Sequence, residues 1–214
     1  KLSFDNYKRC IDNKQLVEIS KTVYDSTISE ANIYSSDLIE FIQINNKGLL
    51  TIPFGSTLNS IKLFDHFFDG NTTKTIQPKE NLVKTSLLFI NSPYLWGGRT
   101  PFGIDCSGFT QIIYKINGYK IDRDAKDQVN LGVSLSFIEE SEPGDLAFFD
   151  NKEGDIVHVG IIMEDNHIIH AHGQVRIDRL DQTGIYNVDT KKHTHKLRVI
   201  TVSYTHLRAH ETYK

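Results

Sequence analysis

The second half of the chain alternates short apolar runs with turn residues. Gly, Asp and Asn bound four runs that are typical of antiparallel β-strands: DLAFFD, HVGIIMED, HIIHAHG and LRVITV. Between 107 and 117 the apolar residues instead recur at helical spacing, and Gly118 follows as a stop. Residues 81–92, ended by Pro93, and residues 124–131 are predicted to form two further short helices. The pattern predicts an α+β fold in which helices pack against a meander-like sheet.

The first half of the chain is predicted to be rich in β-strands. Its apolar runs are separated by Asn, Gly and Ser turns and include LVEIS, TVYDST, LIEFIQI and GLLTIPFG. The polar segment 69–81 has no apolar periodicity, which indicates a linker. We therefore predict a β-rich domain over 1–78 and a second domain over 82–201. Residues 203–214 break the pattern and are predicted to be a non-native tail, so His206 and His210 are given no function.

Composition and charge exclude two classes of partner. The formal net charge of −3 leaves no basic excess to neutralise phosphate groups, so we expect no nucleic-acid partner. No apolar run reaches the roughly eighteen residues that a membrane span needs, so no membrane insertion is expected. The charged residues near the start do not fit a signal peptide, but the chain opens at Lys1 rather than Met, which leaves open that a leader was removed.

Of the two cysteines, Cys106 has the neighbours that indicate chemistry. The two cysteines cannot form a disulfide framework, and neither belongs to a CxxC motif. We therefore expect Cys10 to be a small buried or half-buried apolar residue. Cys106 falls at a predicted helix start, whose partial positive charge is expected to lower the thiol pKa. The small residues Ser107 and Gly108 leave room for a carbonyl group, and free N–H groups of the first helical turn can bind its oxyanion.

A catalytic cysteine needs a base that a third group holds in place, and the chain contains nine histidines. If HVGIIM and HIIHA form adjacent antiparallel strands joined by the turn EDN, the imidazoles of His158 and His170 become neighbours. His170 can then orient His158. The alternative is that His158 is a half-buried histidine with no catalytic role, as we expect for His167 and His172.

A metal site is a second alternative for the histidine-rich region. Two H-x-H pairs can chelate, and the candidate ligands are His167, His170, His172, His193 and His195. No carboxylate or thiolate is placed to complete a recognisable ligand set, so we expect no metal and no other cofactor.

Five motifs follow one another within 82–201: Tyr94-Leu-Trp-Gly-Gly, Asp105-Cys-Ser-Gly-Phe, Pro143-Gly-Asp-Leu with Phe148-Phe149, His158-Val-Gly-Ile and Ile169-His-Ala. In order and spacing they resemble those of the NlpC/P60 family of cysteine peptidases. The resemblance implies a reduced papain-like fold without a metal. It also implies that Cys106 attacks the substrate, His158 accepts and returns the proton, and His170 orients the imidazole.

The resemblance also implies roles for residues around the nucleophile. Tyr94 is expected to lie beside it and to help form the oxyanion region. Asp105 and Ser107 flank the nucleophile and are expected to contact substrate, and Trp96 is expected to shape the wall of the substrate cleft.

Members of this family typically cleave the bond between γ-D-glutamate and a diamino acid in bacterial cell-wall peptides, which implies peptidoglycan-derived peptides as partners and a cell-envelope location, periplasmic or secreted. A subgroup with SH3-like domains ahead of the peptidase requires a free N-terminal L-alanine and carries an Arg-Asp-Ser motif. Arg123-Asp124-Ala125 matches that motif in part, and GLLTIPFG resembles the last strands of an SH3-like barrel. The carboxylate of Asp124 can pair with a substrate ammonium and exclude peptides that lack one.

Three other functions stay open at this point. The enzyme can instead hydrolyse intact peptidoglycan with the same nucleophile. A binding module that has kept the fold but lost turnover is another class, against which the intact Cys106, His158 and His170 argue. An amide acyltransferase of related fold is the last alternative.

Overall fold

The computed structural model describes residues 2–4, 7–29, 31–45, 48–74 and 76–202. The chain forms two compact units, Lys1–Lys74 and Thr75–Lys214. This division lies inside the polar segment 69–81 that the sequence indicates as a linker. The predicted non-native tail at 203–214 lies outside the described residues.

The described part of the first unit consists of short antiparallel strands and one α-helix. Its elements are β1 (Leu2–Phe4), β2 (Tyr7–Arg9), α1 (Lys21–Ser29), β3 (Tyr34–Ser35), β4 (Ile39–Ile44), β5 (Leu49–Pro53), β6 (His66–Phe67) and β7 (Thr72–Thr73). Strand β4 pairs with both β5 and β6, β3 pairs with β7, and β1 pairs with β2. A small core of Ile42, Ile52 and Leu58 holds this unit together.

Three expectations for the first unit are wrong. The run LVEIS, residues 16–20, lies outside the strands and helices. The run TVYDST lies in the helix α1 rather than in a strand. The hydroxyl of Ser20 accepts a hydrogen bond of 3.3 Å from the N–H of Val23, an N-cap contact that starts a helix despite the β-branched residues. Cys10 is exposed rather than buried.

The described part of the second unit combines three α-helices with a large sheet, which confirms the α+β prediction for this part of the chain. Its elements are α2 (Glu80–Leu87), β8 (Arg99–Thr100), β9 (Gly103–Ile104), α3 (Cys106–Ile116), α4 (Ala125–Gln128), β10 (Val133–Leu135), β11 (Leu146–Asp150), β12 (Ile156–Met163), β13 (His167–His172), β14 (Gln174–Leu180), β15 (Gly184–Asn187) and β16 (Lys192–Val202).

The sheet closes on itself through its longest strand. The order is β10-β16-β11-β12-β13-β14-β15, and β15 pairs again with β16, so six antiparallel strands form a closed barrel. Asp165 and Asn166 adopt left-handed conformations (φ 54° and 57°) in the turn between β12 and β13, as a tight hairpin of this hand requires. The closure brings residues distant in sequence to one enclosed face.

The two faces of the barrel strands have different neighbours. Residues such as Phe149, Ile162, Ile168 and Leu180 form an apolar cluster to which six strands contribute, and the residues between them face outward against α3, which packs on β12 and β13. Because side chains alternate along a strand, His158, His170 and Asp178 share the inner face with that cluster.

Candidate active site

The candidate nucleophile is the first residue of α3, so the predicted helix over 107–117 is confirmed as Cys106–Ile116. Asp105 caps the helix, because its backbone is extended and its Oδ1 accepts a hydrogen bond of 2.7 Å from the N–H of Gly108. The apolar face that the spacing predicted is buried. Cys106 is therefore held at the end of a firmly packed helix.

Burial decides the ionisation of the Cys106 thiol. The residue is 8% exposed, and burial, followed by the negative charge of Asp105, raises the pKa of Cys106 to about 11. The backbone N–H groups of Val159, Ser107 and Cys106 face the sulfur and act in the opposite direction. The expectation that the helix start lowers the thiol pKa is wrong here, because lost hydration outweighs these N–H groups. The resting thiol is neutral and needs a base.

Two of the four N–H groups in the first turn of α3 are used inside the protein. The N–H of Gly108 donates to Asp105 Oδ1 at 2.7 Å, and the N–H of Phe109 donates to the backbone oxygen of Asp105 at 2.9 Å. The expectation that the whole first turn is free is therefore too broad. The N–H groups of Cys106 and Ser107, which face the sulfur, are the ones placed to meet a developing oxyanion.

The structure confirms the predicted antiparallel pairing of the strands that carry His158 and His170. His170 lies opposite Gly160, so the two histidines are diagonal rather than direct neighbours. His158 Nε2 and His170 Nδ1 are 2.8 Å apart, and the ring planes are nearly perpendicular at 85°. Burial, followed by the neighbouring His170, lowers the pKa of His158 well below its usual value. His158 is therefore a neutral imidazole at neutral pH.

The nucleophile lies against β12, the strand that carries His158. The N–H of Val159 faces the Cys106 sulfur, and Val159 follows His158 directly in the strand. The structure thus brings the thiol to the strand position next to His158.

Sequence reasoning missed an acidic residue behind His170. Asp178 Oδ2 lies 3.1 Å from His170 Nε2, and Arg176 forms a two-point ion pair with the same carboxylate at 2.7 and 2.9 Å. Arg176 is also the direct cross-strand partner of His170. An acid inside the strand pattern of QVRIDRL, one hairpin after HIIHAH, was the signal that could have found this pair.

A second missed neighbour is His195 on β16. Its ring stacks on that of His158 with 4.2 Å between centroids and 25° between planes. Burial, followed by the nearby His170 and His172, lowers the pKa of His195 to about 4. His195 therefore covers His158 as a neutral ring, and no local pattern in the sequence could show that β16 returns to this place.

Asp105 and Ser107, predicted to contact substrate, are both engaged within the protein. Asp105 binds Arg123 through two contacts of 2.6 and 3.0 Å and accepts a hydrogen bond of 2.8 Å from the N–H of Gly97. The hydroxyl of Ser107 accepts a hydrogen bond of 2.9 Å from Arg123. These bonds tie the glycine turn to the start of α3, and contact with substrate stays a prediction for both residues.

The other predicted substrate residues lie in different environments. Tyr94 is half-buried, and burial, followed by the Cys106 and Asp105 charges, raises the pKa of its hydroxyl, which therefore lies near the nucleophile. Trp96 is 85% exposed on the adjacent turn. Asp124 is half-buried at the N-cap of α4.

Of the five histidines weighed as metal ligands, His170, His172 and His195 lie together, with ring centroids 4.8–6.3 Å apart, and the other two lie elsewhere. His193 pairs with Asp181 at 2.8 Å, and His167 lies opposite Met163 at the far end of β13 from His172. Within the part of the chain that the structure describes, no group of three or more His, Cys, Asp or Glu residues is arranged to hold a metal ion.

A family match accounts for this arrangement of cysteine and histidines. Residues 91–198, slightly more than half of the chain, match the model of the NlpC/P60 family. The chain belongs to the NlpC/P60 family.

Known NlpC/P60-type proteins resemble this chain over part of their length. It is 43% identical over 94 residues to gamma-D-glutamyl-L-lysine dipeptidyl-peptidase of Bacillus subtilis (strain 168), covering 43% of this chain and 31% of the relative. It is 33% identical over 124 residues to dipeptidyl-peptidase 6 of Lysinibacillus sphaericus, covering 56% of this chain and 42% of the relative. The chain thus spans less than half of the length of these curated relatives.

The fold is shared with a solved NlpC/P60 protein. The crystal structure of an NlpC/P60 family protein from Bacillus cereus ATCC 10987 superimposes with a TM-score of 0.68 at 21% identity, covering 86% of this chain and 66% of that chain.

Among the described residues, no helix has both the length and the apolar character that crossing a bilayer requires.

We expect the activity of this NlpC/P60 protein to persist below the usual histidine pKa. A general base must be neutral, and burial keeps His158 neutral further into acid because its pKa is well below 6.5. The acid limb of kcat/KM should therefore lie below pH 6.5. A pH series with a peptide substrate measures it, and an acid limb centred at or above 6.5 would contradict this account of His158.

Asp105→Ala should lower the free energy of unfolding by about 3–5 kcal/mol, because it removes the carboxylate that neutralises the largely buried Arg123 guanidinium and also removes a helix cap. Both side chains are 10% exposed or less. Urea unfolding measures the loss, with the exposed Asp122→Ala as a control expected to stay within about 0.5 kcal/mol. The loss should shrink in an Arg123→Ala background. A loss below about 1 kcal/mol for Asp105→Ala alone would contradict the structural role given to this pair.

Proposed function

We propose that this protein is a cysteine endopeptidase that hydrolyses the bond between γ-D-glutamate and a diamino acid in peptidoglycan-derived peptides. The observation that carries the proposal is a helix-start thiol, Cys106, that faces the N–H of Val159, the residue after His158, whose buried ring bonds to that of His170. NlpC/P60 membership and the names of the relatives support a peptidase related to peptidoglycan. The proposal also specifies that the γ-D-glutamyl bond is the one cleaved and that substrates with a free N-terminal L-alanine are preferred.

The proposed mechanism starts from a neutral Cys106 thiol and a neutral His158 imidazole. Cys106 Sγ attacks the γ-carbonyl carbon while its proton passes to His158, and the N–H groups of Cys106 and Ser107 receive the oxyanion. His158 then gives the proton to the leaving amine, and the carbon–nitrogen bond breaks to leave a thioester on Cys106. Water, deprotonated by His158, hydrolyses the thioester and regenerates the thiol.

The preference for a free N-terminal L-alanine rests on Asp124. Gln128 donates to the backbone oxygens of Ser107 and Asp122 at 3.0 and 2.8 Å, which holds this segment against the first turn of α3. Asp124 is therefore carried at the nucleophile end of the helix, where a carboxylate can pair with a substrate ammonium. Tyr94, beside Cys106, is proposed to line the same subsite.

The β-rich first unit and the location belong to the same proposal. We assign the first unit to the SH3-like domains that precede such peptidases, and its antiparallel strands β3 to β7 support this assignment. A substrate derived from the cell wall fits a cell-envelope enzyme, periplasmic or secreted. Trp96, exposed on the turn after Tyr94, is proposed to contact the peptide as it enters.

Parallel incubation with L-Ala-γ-D-Glu-diaminopimelate and its N-acetylated form tests the proposal, with release of the diamino acid followed by mass spectrometry. We expect cleavage of the free peptide and little of the acetylated one. Asp124→Asn should raise KM about tenfold or more while kcat changes little, because it removes one charge pairing with the bound peptide. Asp127→Asn, an exposed acid of the same short helix, is the matched control and should leave KM unchanged.

The other outcomes each favour a different function. Equal cleavage of both peptides would favour a hydrolase of intact peptidoglycan. Cleavage of neither peptide would contradict the proposed bond.

A further inference from the structure

The side-chain carboxylate of Asp178 accepts hydrogen bonds at both oxygens. Oδ2 lies within bonding distance of His170 Nε2 and Arg176 Nε, at 3.1 and 2.7 Å. Oδ1 accepts from Arg176 Nη2 at 2.9 Å and from the N–H of Val188 at 3.1 Å. Its side chain is fully buried. Three of these contacts come from groups that are donors in every state, so the carboxylate is ionised and can only accept.

The contacts of His170 leave one arrangement of protons. Besides Asp178, its ring meets His158 at Nδ1, while His172, His195 and Arg176 lie around it. Burial lowers the pKa of His170, so the ring is neutral and carries one proton. An accepting carboxylate at Nε2 requires that proton to be on Nε2. Nδ1 of His170 is then an acceptor.

The same reasoning applies to His158. An accepting Nδ1 on His170 requires that His158 Nε2, 2.8 Å away, donates and therefore carries the single proton of that neutral ring. Nδ1 of His158 is then unprotonated and is the one nitrogen of this ring left able to accept a proton. The opposite arrangement would place a proton on His158 Nδ1, where it blocks general-base action.

We propose that Asp178 is a positioning residue that sets the ring tautomers of His170 and, through it, of His158. The inference rests on the proposed function of His158 as base but adds a group that never touches the substrate. Arg176 supports it, because it is bound to Asp178 on one side and to Asp189, at 2.6 Å, on the other and so holds the carboxylate in place. Hydrogen-bond partners behind a metal-bound imidazole affect activity by about 10–100-fold, and we expect an effect of the same size behind this imidazole.

Two-dimensional ¹⁵N NMR of histidine-labelled wild-type protein tests the inference without any substrate. The expected result is a neutral tautomer protonated at Nε2 for both His158 and His170. Protonation at Nδ1 of either ring would overturn the proposal, whether or not the protein cleaves a wall peptide. The proposed function and this inference can therefore fail separately.

Asp178→Asn supplies the functional arm of the test. It should lower kcat about 10–100-fold with little change in KM, and it should shift part of the His158 population to the Nδ1-protonated form. Alkylation of Cys106 by iodoacetamide, read against exposed Cys10 in the same sample, should slow by a similar factor even if the peptide substrate is wrong. Asp181→Asn is the control, since Asp181 binds the exposed His193 through a similar contact. It should change only the His193 signals.

The remaining outcomes of these experiments also test the proposal. A wild-type kcat and a wild-type Cys106 alkylation rate in Asp178→Asn would overturn the proposal. A lower kcat with unchanged tautomers would assign Asp178 a purely structural role and overturn it as well. If Asp178→Asn does not fold, the wild-type tautomers alone decide.

Discussion

Cys106→Ala is expected to slow peptide cleavage by at least about a thousandfold while leaving the fold intact. The alanine keeps the helix start and the N–H groups that face the reaction centre, but it removes the sulfur that forms the thioester. The substitution removes one heavy atom, Sγ, from a residue that is 8% exposed. The free energy of unfolding should therefore change by about 1 kcal/mol or less. Mass-spectrometric release of the diamino acid and urea unfolding measure the two quantities.

The second cysteine provides the control for this prediction. Cys10 is exposed and belongs to the first unit, so Cys10→Ala should cleave at the wild-type rate. A Cys106→Ala protein that retains activity within about tenfold of wild type would show that cleavage does not use this thiol.

His158→Gln should lower kcat by about 10²–10⁴-fold, the usual contribution of a general base. The effect should be large here because burial raises the pKa of Cys106 to about 11, so without a base almost no thiolate forms at neutral pH. The activity that remains should rise with pH through the alkaline range, as hydroxide replaces the missing base. The wild-type rate should not show this rise. A pH series of kcat for both proteins measures the difference.

His167→Gln is the matched control for that substitution. His167 is on the neighbouring strand, opposite Met163, and should tolerate glutamine without loss of kcat. A His158→Gln variant with wild-type activity, or one whose residual rate is flat with pH, would contradict the role of His158 as base.

Local sequence patterns predicted the parts of the site that depend on local structure. Helical spacing after Cys106 and the period-two runs around the EDN turn give α3, β12 and β13, because both signals arise from residues a few positions apart. These elements place Cys106 at a helix start and His158 and His170 on adjacent strands. The register that makes the two histidines diagonal rather than direct partners required the actual strand pairing.

The missed features depend on contacts that are distant in sequence. Asp178 and His195 reach the site because β14 and β16 close the barrel, and closure leaves no periodic trace in either strand. The raised pKa of Cys106 has the same origin, since burial against β12 outweighs the local effect of the helix start. In the first unit, the capping bond of Ser20 determined α1 against the β-propensity of TVYDST.

An affinity label that carries the proposed acyl group tests the central claim most directly. L-Ala-γ-D-Glu diazomethylketone places an electrophilic carbon next to the γ-carbonyl that Cys106 is proposed to attack. Intact-mass and peptide mapping should show one equivalent on Cys106, blocked by excess L-Ala-γ-D-Glu-diaminopimelate, and none on the more exposed Cys10. Labelling of Cys10 alone, or labelling of Cys106 that the peptide does not block, would contradict a cysteine peptidase for γ-D-glutamyl bonds.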